Sequence, residues 1–200
     1  MNFKVLSVAA LLISTVCFSV TTIAEKMPES PKFKEQRIEA DLNNLFTRGM
    51  NAAALKLGKK EDLHPFAIIK KYDGSLGTFE LENSEKTKDF TVNQKALSIR
   101  RYLTELAIAK QIEAAVIVMY AVIRPKGEEP RQGITFEMEH IEGISFMRFL
   151  PTSNYVDEKD ASNNKLVLHT EAISDVAKPV TVFTEMVRAI VKQKQIVKQK

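Results

Sequence analysis

The stretch Ala114–Ile123 reads Ala-Ala-Val-Ile-Val-Met-Tyr-Ala-Val-Ile, with no alternation of apolar and polar residues. A strand with one wet face alternates, because successive side chains point to opposite sides of a sheet. A continuous apolar run of this length, closed by Pro125, Gly127 and Pro130, predicts a strand buried on both faces or covered by a partner. A central core strand is the simpler expectation, and a dimer edge is the other. Either way the chain has to supply a sheet with material packed on both sides of it.

The flanking segments supply it. Ile38, Leu42, Leu45, Phe46, Ala53 and Leu57 fall near helical spacing, which predicts a helix to about Leu57. Ser30 would cap it, Pro31 would take its first position and Gly58 would stop it. Phe66–Lys71 and Leu76–Leu81 read as a hairpin around Tyr72-Asp73-Gly74-Ser75. A two-residue turn there sets Phe66 opposite Leu81 and Ile68 opposite Phe79. Thr91 and Gln94 have capping-box spacing. Ala96, Ile99, Leu103 and Leu106 then stripe a helix that ends near Lys110.

Beyond the apolar run, Ile134–His140 and Ser145–Leu150 read as a second hairpin, turning at Glu142-Gly143. A two-residue turn pairs Phe136 with Phe149, Met138 with Met147 and, on the other face, Glu137 with Arg148. Pro151–Lys165 reads as a polar loop and Leu166–His169 as a short strand. Pro179 opens a last helix striped by Val180, Phe183, Val187, Ile190 and Val191, with lysines suiting its C-terminal dipole.

The expected fold is therefore α/β of the α+β type: a five-stranded, mainly antiparallel sheet flanked by helices, in the order α-β-β-α-β-β-β-α. That order resembles the roadblock and profilin-like folds. The resemblance implies helices on both faces of the sheet and a ligand-sensing or dimerising role, by analogy of fold. A second resemblance is carried by residues. His64-Pro65-Phe66-Ala67, Asp73-Gly74, Glu139-His140-Ile141-Glu142-Gly143-Ile144-Ser145 and Phe149-Leu150-Pro151 are similar to the landmarks of a group of small uncharacterised bacterial proteins. It covers Asp62 to Pro151, departs at Thr152, and implies no activity.

The first residues bear on compartment. Lys4, the apolar stretch Val5–Val20 and the short run Thr21-Thr22-Ile23-Ala24 have the layout of a secretory signal peptide, cut after Ala24. The rival is an uncleaved anchor, but a span needs about 20 predominantly apolar residues. Ser7, Ser14, Thr15 and Ser19 interrupt this one. A lipid-modified Cys17 is disfavoured by Ser14 and Val16 at the positions where a leucine and a small residue are usual. The expected organisation is a leader at 1–24, a spacer at 25–31 and one domain at 32–197, periplasmic or secreted. Cys17 is the only cysteine, so a cleaved chain has no disulfide, thiol nucleophile or cysteine-bound metal.

A pI near 9.0 and a net charge of +4 permit attraction to acidic surfaces. No Arg-rich face interleaved with aromatics and no zinc-finger spacing points to nucleic acid. There is no phosphate-cradling loop and no Gly-x-Ser-x-Gly elbow.

The candidate binding residues are His64, Glu139, His140 and Arg148. His140 follows Phe136 and Met138 on the inward face by period two, whereas Glu137 and Glu139 point the other way. Three carboxylates and an imidazole are metal-binding types. Their split between faces instead pairs Glu137 with Arg148 and gives His140 a hydrogen bond to Ser145. No catalytic residue, metal or cofactor is assigned. The expectation is an exported small-ligand-binding or protein-interaction module, a homodimer or bound to a protein partner, with no membrane span after cleavage. The alternatives are a small metal-dependent or hydrolytic enzyme using His140, Glu139 and His64, and a peripheral structural protein of the envelope.

Overall fold

In the computed structural model, residues 30–58, 63–81, 84, 87–124, 127, 129–157 and 160–197 are described. The leader, most of the spacer, the run Lys59–Asp62 and the terminal Lys198 and Lys200 lie outside them. The apolar run becomes β3 (Ile112–Ile123), flanked by β1 (Phe66–Lys71) and β4 (Arg131–His140). Outside β1 lies β2 (Leu76–Glu80), and outside β4 lies β5 (Ser145–Asp157). The outer side of β5 is shared by β6 (Asp160–Leu168) and the short β7 (Ser174–Ala177). Every pairing is antiparallel. The sheet thus has two strands beyond the five expected.

Alternate residues of these strands feed two cores. On one face, Phe66, Ile68, Val116, Val118, Phe136 and Met138 meet Ile38, Leu42, Leu45 and Phe46 of α1 (Pro31–Gly58). On the other, Ala67, Ile69, Ala115, Ile117 and Met119 meet α2 (Val92–Ile108) and α3 (Glu185–Val197). β3 contributes to both, which is why its sequence does not alternate.

Both hairpins differ from expectation by one residue, for the same reason. Phe66 pairs with Glu80 and Ile68 with Thr78; Phe136 pairs with Arg148, Met138 with Phe146 and Glu137 with Met147. Each turn has three residues. The N–H of Gly74 donates to Lys71 O and that of Gly143 to His140 O, at 3.0 and 2.9 Å. Both glycines lie in the left-handed region, with φ of 82° and 89°. A type I turn followed by a left-handed residue is the usual three-residue hairpin loop, and glycine is its natural third residue.

Two other expectations are corrected. The polar segment Pro151–Lys165 is strand over its described residues, in β5 as far as Asp157 and in β6 from Asp160: Thr152 pairs with Leu168, Ser153 with Val167 and Asn154 with Leu166. The ladder there runs through backbone groups, so its polar side chains hid it. The last helix begins at Glu185, not at Pro179. Thr184 starts it, accepting the Val187 N–H on its hydroxyl and the Arg188 N–H on its carbonyl.

Candidate functional site

The register between β1 and β3 shifts where Lys70 pairs with Ala114 and Lys71 with Ile112. Glu113 is the extra residue, and a bulge of this kind re-aims a side chain. Glu113 Oε1 lies 2.7 Å from Lys70 Nζ, and Asp41 Oδ2 of α1 lies 2.6 Å from the same nitrogen. All three side chains are mostly buried. Burial opposes the ammonium, but the two carboxylates outweigh it and hold the Lys70 pKa above 10.5. The ammonium occupies the place between the carboxylates that a metal ion would take. Among the described residues no group of three or more His, Cys, Asp or Glu side chains is placed to hold a metal.

His140, the last residue of β4, sits beside this cluster with none of its surface exposed. Its Nδ1 accepts the Glu142 N–H at 3.2 Å, which assigns the ring proton to Nε2. Nε2 has no hydrogen-bond partner, and Asp41 Oδ2 stands 3.8 Å away. Burial pushes the His140 pKa below 6.5, against the pull of Glu113 and Asp41. The imidazole is therefore a neutral donor at neutral pH.

Above His140 lies a cleft of about 570 Å³, lined by Arg37, Tyr72, Glu113, Glu142, Arg188 and Lys192 among others. The β4–β5 turn and α3 meet at its wall. The positive φ of Gly143 calls for glycine, and a Cβ there would displace the Arg188 guanidinium from its place against the turn. Arg188 Nε is a second buried donor without a partner.

The position of α3 is set from the opposite face of the sheet by Glu139. Its Oε1 accepts from Lys178 Nζ at 2.6 Å, Thr181 N at 2.9 Å and Thr181 Oγ1 at 2.6 Å. Its Oε2 accepts from Val182 N at 2.8 Å and Phe183 N at 3.2 Å. Burial raises the Glu139 pKa, but Lys178 and the other donors more than offset this and hold it below 4.5.

The candidate residues read from sequence are thus dispersed. Glu139 is adjacent to His140 in sequence but faces the other core. His64 precedes β1, with Nδ1 3.5 Å from Lys95 Nζ. It lies six residues from Lys70, or about 20 Å along an extended strand, so it does not meet His140. Arg148 stacks on Phe46 and Phe146, at 4.6 and 5.6 Å from the ring centroids, and makes two hydrogen bonds to Asp175 of β7. Glu137 pairs not with Arg148 but with Arg100 of α2, at 2.7 Å. The Ser145 hydroxyl reaches Pro179 O, not His140.

Asp41, Lys70, Glu113 and Arg188 were missed. Two of them left a signal. Asp41 interrupts the apolar stripe of α1 between Ile38 and Leu45, and Lys70 continues the buried face of Phe66 and Ile68 by period two.

A separate chain of hydrogen bonds runs from Ser153 Oγ to His169 Nε2 at 2.8 Å and from His169 Nδ1 to Glu171 Oε1 at 3.1 Å. The connectivity is that of a serine triad. However, Glu171 is 72 % exposed, and a carboxylate in water does little to polarise an imidazole. None of these three residues lines the cleft over His140.

No helix among the described residues is long and apolar enough to cross a membrane. No protein family, curated protein or solved structure matches the chain, so the roadblock and profilin-like resemblance rests on element order alone.

Proposed function

We propose that this chain is an exported, non-catalytic module that binds a small ligand in the cleft over His140. The observation that carries the reading is the unpartnered Nε2–H of a fully buried imidazole beside that cleft. A buried donor without an acceptor costs about 1–3 kcal/mol, and a ligand acceptor would remove that cost. The bonding of Nδ1 favours binding over acid–base chemistry. The one ring nitrogen with a lone pair already accepts the Glu142 N–H, so the ring has a proton to share and no free site for taking one.

Native mass spectrometry of protein recovered from the exported fraction tests this reading. The expected species begins at Glu25 and carries a small added mass that denaturation releases. A bare chain, together with an NMR-detected hydrogen bond from His140 Nε2 to Asp41, would overturn it.

The open edge of β2 favours a second reading, as a homodimer. Among the described residues nothing pairs with its outer side. The stacked rings of Phe79 and Tyr102, 4.2 Å apart, stand next to it. An edge of this kind is a template for another strand.

A further inference from the structure

We propose that the cleft over His140 takes a small oxyanion, the carboxylate or phosphate group of a ligand, held by His140 Nε2–H and the Arg188 guanidinium. This inference rests on the ligand-binding reading and adds the chemical class.

The orphaned groups set the class. Neutral His140 offers an N–H at Nε2, and arginine offers only donors. A group that satisfies both must be an acceptor. His140 Nε2 and Arg188 Nε are both buried atoms, in surroundings where a charge-assisted hydrogen bond is stronger than in water.

The charge balance agrees. Around the cleft stand Lys34, Arg37, Lys70, Arg188 and Lys192 against the carboxylates of Asp41, Glu113 and Glu142. Three of the five cations match the three carboxylates, Arg37 standing 3.8 Å from Asp41 Oδ2. Lys70 bridges Asp41 and Glu113, and Lys34 lies 2.6 Å from Glu142. The excess is positive, on the side formed by α3. A cationic ligand would meet Arg188 and Lys192 there, and a neutral polyol would need acceptors that are already engaged. The volume of about 570 Å³ falls within the range of pockets for small molecules.

The fold places these donors deliberately. The three-residue turn ending at Gly143 leaves room for the guanidinium. The Glu139 carboxylate anchors the segment that delivers Arg188 and Lys192. Glu139 is therefore a positioning residue, while His140 and Arg188 are the direct contacts.

The test uses the mature chain with inorganic phosphate and succinate as probes, and choline and glucose as controls. Binding is read by calorimetry and by the NMR signal of the His140 Nε2–H. The expected result is saturable binding of at least one anion, a shift of the His140 signal, and no response to either control. Arg188→Gln should weaken binding by about tenfold, the cost of one charge-assisted hydrogen bond. Lys192→Gln, on the exposed side of α3, should weaken it by a smaller factor and keep the fold if Arg188→Gln does not. A preference for phosphate or for succinate identifies the source of the oxyanion. Anion binding that is unchanged in both variants means an adventitious surface ion and overturns the proposal. So does the absence of any His140 shift. If neither anion binds while the exported protein carries a neutral or cationic ligand, the oxyanion class falls and the cleft reading stands. If nothing binds and Nε2 bonds to Asp41, both fall.

Discussion

Glu139 shows how much one carboxylate can organise. It is 2 % exposed and accepts five hydrogen bonds, four of them from the segment Thr181–Phe183. Glu139→Gln keeps the shape but removes the charge that Lys178 faces. We expect a loss of about 2 kcal/mol at neutral pH, the scale of hydrogen bonds to a charged group, read by urea unfolding. The pH dependence has a fixed sign. The folded pKa lies below the ordinary 4.5, so the unfolded chain takes up the proton first as pH falls. The stabilisation is complete above that value and disappears as pH drops through the folded pKa. The gap between wild type and Glu139→Gln should therefore close on the acid side of 4.5 and stay constant above it. His140 adds an earlier decline. Its folded pKa is depressed below 6.5, so wild-type stability should begin to fall as pH drops below that value.

At the scale of elements, local signals were legible and register was not. The α2 capping box is present as read: Thr91 Oγ1 accepts the Gln94 N–H at 3.2 Å, and Gln94 Oε1 accepts the Thr91 N–H at 2.8 Å. A cap depends on residues within one turn, so sequence suffices to place it. Thr91→Ala should cost about 1 kcal/mol and Thr91→Ser much less, measured as shifts of the urea midpoint with an unchanged slope. The hairpins were harder. The cross-strand pairs of a two-residue turn look satisfactory at both sites, yet Gly74 and Gly143 each close a three-residue loop. The difference depends on backbone geometry that apolar pairing does not report. The inward face of His140 follows from period two and was legible. The meeting of His140 with Asp41, Lys70 and Glu113 depends on a β1–β3 bulge and on how α1 docks, and neither has a local signature.

The whole sheet is asymmetric in how its margins are finished. On one side, β6 and β7 divide the outer edge of β5 between them. On the other, β2 ends the sheet with no described neighbour. The Lys71 N–H donates to the Ser75 carbonyl, so alternation turns the backbone groups of Leu76, Thr78 and Glu80 outward. β2 carries no lysine and no proline, two common means of blunting an edge. An antiparallel pairing of two copies about Thr78 would set Gly77 of one opposite Phe79 of the other. An aromatic ring lying over a cross-strand glycine is a favourable match, and Phe79 is already steadied by Tyr102. Thr78→Pro separates this association from the fold, because proline at an outward-facing edge position removes only an N–H that β1 does not use. We expect the wild-type mature chain to show a concentration-dependent dimer in sedimentation velocity. Thr78→Pro should remain monomeric over the same range with an unchanged circular dichroism spectrum. A dimer that survives the substitution would move the interface away from β2. A wild type that stays monomeric at every concentration would leave the β2 edge without a second copy and end the homodimer reading.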